Sequence, residues 1–152
     1  LQLLVHGITY TSQYWLSPVE EFRNYSYVAF SCDRGLSTLA INWPDVRLSS
    51  QPVNALDVQF PTTVAARSQI ARHLKKSSIL PGVSPFRKII GMGHSAGSVL
   101  LNFGTIVEDT HSPFNGLILT GLLSLGPNTL PLLLIVPSMR DVAGVSSTLG
   151  IS

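Results

Sequence analysis

The chain has 152 residues, room for one domain with a sizeable core, and 12% of them are charged, against roughly 25% in an ordinary soluble domain. A formal net charge of +2, with no basic run longer than Lys75-Lys76 and no basic stripe interleaved with aromatics, excludes the electrostatic footprint of a nucleic-acid binder. One cysteine, Cys32, excludes an internal disulfide and a thiolate metal cage, and leaves the compartment unread. With 45% hydrophobic residues and a mean hydropathy of +0.32, the chain hides more of itself than usual. Two explanations fit: a parallel sheet buried on both faces, whose strands read as apolar runs, or a piece of a larger domain whose surface other parts cover.

Residues 1–5, LQLLV, form a short apolar run stopped by Gly7 and read as a buried strand. The run has no basic flank, so a signal peptide is not the reading. Residues 9–14 read as a polar and aromatic loop. Ser17-Pro18 predicts a helix start, with Ser17 as cap and Glu20 and Glu21 in the first turn, ending near Arg23-Asn24. Residues 25–33 stay open between helix and strand, although Arg34-Gly35 closes them as a helix end would. Residues 38–42, TLAIN, predict a second strand, and 44–57 a loop.

The clearest helix is 62–76, with an apolar stripe of Val64, Ala65, Ser68, Ile70, Ala71 and Leu74. A loop through Pro81, Gly82 and Pro85 leads to a third strand at 87–92, RKIIGM, and then to a helix at 98–107. Residues 109–115 read as a loop. The stretch 116–137 is long and apolar, but Gly126-Pro127-Asn128-Thr129 divides it by turn chemistry. It predicts a fourth strand at 117–123 and a fifth at 132–136 rather than a membrane span. Strands alternating with helices imply βαβ units, hence an α/β fold with a mainly parallel sheet and flanking helices.

The segment GMGHSAG, residues 91–97, joins the third strand to the next helix. An acyl-transfer serine needs an exposed point beside a proton acceptor, and a sharp strand-to-helix turn supplies the exposure. Glycines two positions before and after, here Gly93 and Gly97, remove side chains that would collide across such a turn. Gly93-His94-Ser95-Ala96-Gly97 resembles the nucleophile elbow of the α/β-hydrolase superfamily. The first strand runs into His6-Gly7, similar to the His-Gly pair after an early strand in those enzymes. The resemblance covers about residues 1–123 and implies a doubly wound sheet with Ser95 at its C-terminal edge. It implies a serine hydrolase acting on carboxylic esters or related acyl substrates, without a cofactor or metal. Ser95 would be the nucleophile, and the backbone N–H groups of Ala96 and Ile8 would form the oxyanion hole. His6, Gly7, Gly93, His94 and Gly97 would be structural parts of the loop and elbow. Gln13, Tyr14 and Trp15 either line the pocket or pack beneath the oxyanion loop.

The superfamily order is Ser, then Asp or Glu, then His. After Ser95, Glu108 and Asp109 end a helix and read as solvated. Asp141, after the fifth strand, is the candidate acid, against a plain loop residue beside Arg140. The base has no counterpart: His111 precedes both candidate strands, His73 reads as exposed, and His94 reads as turned away from its neighbour's reaction face. Asn42 stands where the resemblance expects an Asp. The expectation is a partial hydrolase domain over 1–137 with a tail of open structure at 138–152. The alternative is a truncated, non-catalytic hydrolase-like domain, and uncovered apolar edges predict self-association in either case.

Overall fold

The computed structural model of the chain describes residues 1–52, 54, 57–79 and 81–122. Four short runs form its sheet: β1 (Gln2–Val5), β2 (Thr38–Ile41), β3 (Ile90–His94) and β4 (Gly116–Thr120). Their order is β2-β1-β3-β4 and every neighbouring pair is parallel. Parallel neighbours need long crossovers, which helices supply. These are α1 (Tyr27–Cys32), α2 (Phe60–Lys76) and α3 (Ala96–Glu108). The class is α/β.

Alternation along β1 divides the core between the two faces. Leu3 packs with Ala71, Leu74 and Ile89, and Val5 with Val64, Leu100 and Leu101, so α2 and α3 close one face. Leu4 points the other way, to Trp15, Met92 and Tyr27. Register carries this division outward, because Met92 lies beside Ile118, and Gly91 and Gly93 beside Leu117 and Leu119.

Several elements depart from the sequence reading for local reasons. No helix starts at Ser17: its φ of 46° is wrong for a cap, and its hydroxyl donates to the Phe22 carbonyl instead. The segment is a 3-10 helix at Glu20–Tyr25. The cap belongs to Ser26, whose Oγ accepts from Ala29 N–H at 3.1 Å and starts α1, so the open stretch 25–33 is α-helical over Tyr27–Cys32. A further 3-10 turn, Ser12–Trp15, lies where a loop was expected.

Helix α2 begins earlier than its stripe suggests, with Pro61 in the first turn where its missing N–H does no harm. Thr63 and Arg67 are buried there while Ala65 is exposed. Strand β3 starts later and runs on through Gly91-Met92-Gly93-His94. Two glycines disfavour a strand by propensity, but tertiary packing overrides this: a Cβ on Gly91 would stand 2.8 Å from the Leu101 side chain of α3. The expected fifth strand at 132–136, the domain limit at 137 and the tail at 138–152 lie outside the described residues.

Candidate active site

Strand β3 ends at His94 and α3 begins at Ala96, so one residue, Ser95, makes the whole turn. Its backbone sits at φ 52° and ψ −121°, a region that L-residues avoid. Serine at the start of a helix usually caps it, but the Ser95 side chain makes no capping bond. The strain is held by the backbone. Ser95 N–H donates to Thr120 O at 2.9 Å, and Ser95 O accepts from Ser98 and Val99 N–H.

The flanking glycines let three backbones meet at this point. A Cβ on Gly93 would stand 2.5 Å from Ser98 N, and one on Gly97 would stand 2.5 Å from His6 O and closer still to Val5 O. Strained angles alone do not distinguish Ser95, because Asp109, at the far end of α3, has φ 46° and ψ −125°. Location does. Strand β1 connects to β2 on one side and β3 to β4 on the other. Between β1 and β3 the chain therefore turns away in both directions, and in open α/β sheets such crevices at the carboxyl ends of strands receive ligands. Ser95 and the His6-Gly7 loop both lie there, and a Cβ added to Gly7 would stand 3.1 Å from Ser95 Cβ.

His6 fixes that loop from below. Its Nε2 accepts from Trp43 N–H at 3.4 Å, so Nδ1 carries the proton and donates to Gly7 O at 2.8 Å. The ring stacks on Trp43 with 5.5 Å between centroids. Burial pulls the pKa of His6 below its ordinary value, partly opposed by the bond to Gly7. Asn42 is also engaged: its Oδ1 accepts from Ser12 N–H at 2.7 Å and ties the end of β2 to the first 3-10 turn.

A cleft of about 720 Å³ is lined by His94, the residue before Ser95, with Tyr14, Trp15, Phe22, Tyr27 and Met92. Thr120 and Gly121 also line it, and Ser95 itself does not. Among the described residues no Asp, Glu, Lys or Arg side chain lines it. Tyr14 stacks on His94 at 4.7 Å, and burial followed by the neighbouring Tyr10 raises the pKa of Tyr14. Trp15 is 3% exposed and packs with Leu4 and Met92, so it is both wall and core. Gln13 is exposed and lies outside the lining.

The remaining candidates are dispersed. His73 and His111 are exposed. Asp141 lies outside the described residues. Among those residues no histidine nitrogen bonds the Ser95 hydroxyl. His94 is held by Thr120 Oγ1 at 3.2 Å. Glu108 corrects its reading as a solvated residue: it accepts from Ser68 Oγ at 3.0 Å and pairs with Arg72 at 2.9 Å, joining α2 to α3.

Two residues had no sequence signal. Thr120 fell inside the expected apolar strand at 117–123. Arg67 lay outside the apolar stripe read for this helix, yet it is 1% exposed, and none of its guanidinium nitrogens finds a hydrogen-bond partner among the described residues. Burial pulls its pKa down to about 10, with Glu108 acting the opposite way. Gly104 of α3 makes room for it, since a Cβ there would overlap the guanidinium.

A scan against protein-family models and a search of curated proteins return no match to this chain. Among the described residues no helix is long and apolar enough to cross a membrane, and no three His, Cys, Asp or Glu side chains gather as a metal site.

Proposed function

We propose that the chain is a serine hydrolase of the α/β-hydrolase type, acting on carboxylic esters or related acyl substrates through Ser95. The observation that carries this reading is the strained turn at Ser95, held by backbone contacts at the crevice between β1 and β3 and free of any capping bond. A serine kept in such a conformation, with its hydroxyl unspent, is arranged for attack rather than for structure.

In the proposed reaction Ser95 Oγ adds to the carbonyl carbon and the carbonyl oxygen becomes an oxyanion. Ala96 is the first residue of α3, where an amide has no carbonyl within the helix to bond. Its N–H is one proposed donor, and that of Ile8, after the His6-Gly7 loop, is the other. Donors of this kind contribute about 3–4 kcal/mol each to the barrier. Gly7 leaves free the space, 3.1 Å from Ser95 Cβ, that a side chain at its position would fill. The acid of the reading is Asp141. Collapse of the intermediate breaks the bond to the alkoxy group, which leaves as the alcohol with the proton Ser95 gave up; water then adds to the acyl carbon, the carboxylic acid departs and a proton returns to Ser95 Oγ.

The second reading, a non-catalytic hydrolase-like domain, is favoured by one observation: no histidine among the described residues reaches the Ser95 hydroxyl. Labelling with a fluorophosphonate probe separates the two. The hydrolase reading expects label on the wild-type chain and none on Ser95→Ala. A folded wild-type chain that takes no label establishes the second reading instead.

A further inference from the structure

We propose that Thr120, at the end of β4, is a positioning residue of this site that sets both the Ser95 turn and the protonated nitrogen of His94. The proposal rests on the serine-hydrolase reading for its consequence in rate, while its hydrogen-bond content stands independently.

Four hydrogen bonds of the turn converge on Thr120. Its carbonyl accepts from Ser95 N–H at 2.9 Å and from Ser98 Oγ at 2.8 Å. Its hydroxyl donates to Gly93 O at 2.9 Å and contacts His94 Nδ1 at 3.2 Å. One threonine thus touches the residues on both sides of Ser95 as well as Ser95 itself. The strand pairing makes this possible, since Thr120 is the register partner of His94.

A hydroxyl has a single hydrogen, and here Gly93 O takes it. The bond to His94 must then run the other way, from Nδ1–H to Thr120 Oγ1. His94 is therefore the Nδ1–H tautomer, and Nε2 is left as a bare acceptor. The stacked Tyr14 restrains the plane of the ring, and Thr120 restrains its rotation within that plane. The result is an imidazole with one defined lone pair on a residue that lines the cleft and directly precedes the serine in the chain. This is the logic by which a partner on one ring nitrogen decides what the other can do.

Removing the hydroxyl frees His94 and one of the ties on Gly93, and both changes displace Ser95. A small displacement at a reacting atom lowers rate without abolishing the fold. Thr120→Val keeps the side-chain shape and the backbone carbonyl but loses the two hydroxyl bonds. Thr120→Ser keeps all four.

The test combines the imidazole nitrogen NMR spectrum of His94 with the rate of fluorophosphonate labelling, on chains whose folding is checked by thermal melting. The wild-type chain and Thr120→Ser are expected to show His94 as Nδ1–H. Thr120→Val is expected to show a mixture of tautomers and labelling slower by about 10- to 100-fold, with the apparent affinity for the probe unchanged. A wild-type His94 found as Nε2–H overturns the proposal without any variant, and so does a folded Thr120→Val that keeps both the wild-type tautomer and the wild-type labelling rate. A wild-type chain that takes no label overturns the hydrolase reading and the effect on rate; the tautomer then decides the hydrogen bond alone.

Discussion

The two faces of the sheet are built on different terms. Under α2 and α3, Leu3, Leu100, Leu101 and Ala71 have no exposed surface, and helix and strand backbones touch through glycine. On the other face a 3-10 turn and the short α1 cover β1 and β2, while Ile118 of β4 stays 41% exposed and Tyr25 79%. The closed face sets where Ser95 sits. The open face supplies the aromatic cleft that a ligand can enter. Rigidity and access are thus assigned to opposite sides of one four-stranded sheet, and substitutions on the two sides should behave differently.

The largest effect is expected at the backbone contact itself. Gly97→Ala places a methyl against the carbonyls of Val5, the last residue of β1, and of His6, which follows it. The expected cost is on the order of 4 kcal/mol or more, read by urea denaturation. A Gly97→Ala chain with wild-type stability would refute the close approach of α3 to β1.

A matched pair then compares the faces. Leu101→Ala empties a fully buried site and should cost about 2–5 kcal/mol. Ile118→Ala, on the open face, should cost under about 0.5 kcal/mol. Equal costs would mean that Ile118 is as buried as Leu101. The same exposed face should drive self-association, so Ile118→Glu is expected to shift the sedimentation profile toward monomer.

Arg67→Met should act in the opposite direction. The guanidinium is buried without a hydrogen-bond partner, beside Phe114 at 5.1 Å. An apolar side chain of similar length removes the desolvation cost and is expected to stabilise by about 1–4 kcal/mol. A loss of stability on that replacement would show that the attraction to Glu108 outweighs burial.

The smallest effect is a pH dependence at His6. Its folded pKa lies below the ordinary 6.5 because the ring is buried. Above that value the ring is neutral in both states and stability is complete. As the pH falls below it, the unfolded chain takes up a proton that the folded ring refuses, so stability declines until the folded pKa is reached. Melting temperatures between about pH 7.5 and 5.5 should fall more steeply for the wild-type chain than for His6→Asn. Identical slopes would remove His6 as the cause.

Much of this architecture was legible in the chain. Apolar runs located all four described strands, and helical period located α2 and α3. The spacing of Gly93, Ser95 and Gly97 located the strained turn, because close backbone approach leaves glycine as its mark in sequence. What was not legible depends on partners distant in the chain. Ser17 has the composition of a cap and the wrong φ. Glu108 reads as solvated until Arg72 and Ser68 come to meet it. Thr120 becomes meaningful only when parallel pairing sets it beside His94, and Arg67 only when Gly104 leaves it a place. Local chemistry predicts local geometry, whereas tertiary hydrogen bonds leave no periodic trace.

The backbone of Ser95 has a consequence for how this chain would change under mutation. A non-glycine residue at φ 52° carries strain on the order of 1–3 kcal/mol, and glycine would relieve most of it. In a randomised library sorted only for soluble, protease-resistant protein, codon 95 should drift toward glycine. On the proposed serine-hydrolase reading, the same library sorted for turnover should return serine. Position 95 is a place where the two sieves disagree, and sequencing the survivors of each would measure how far apart they lie.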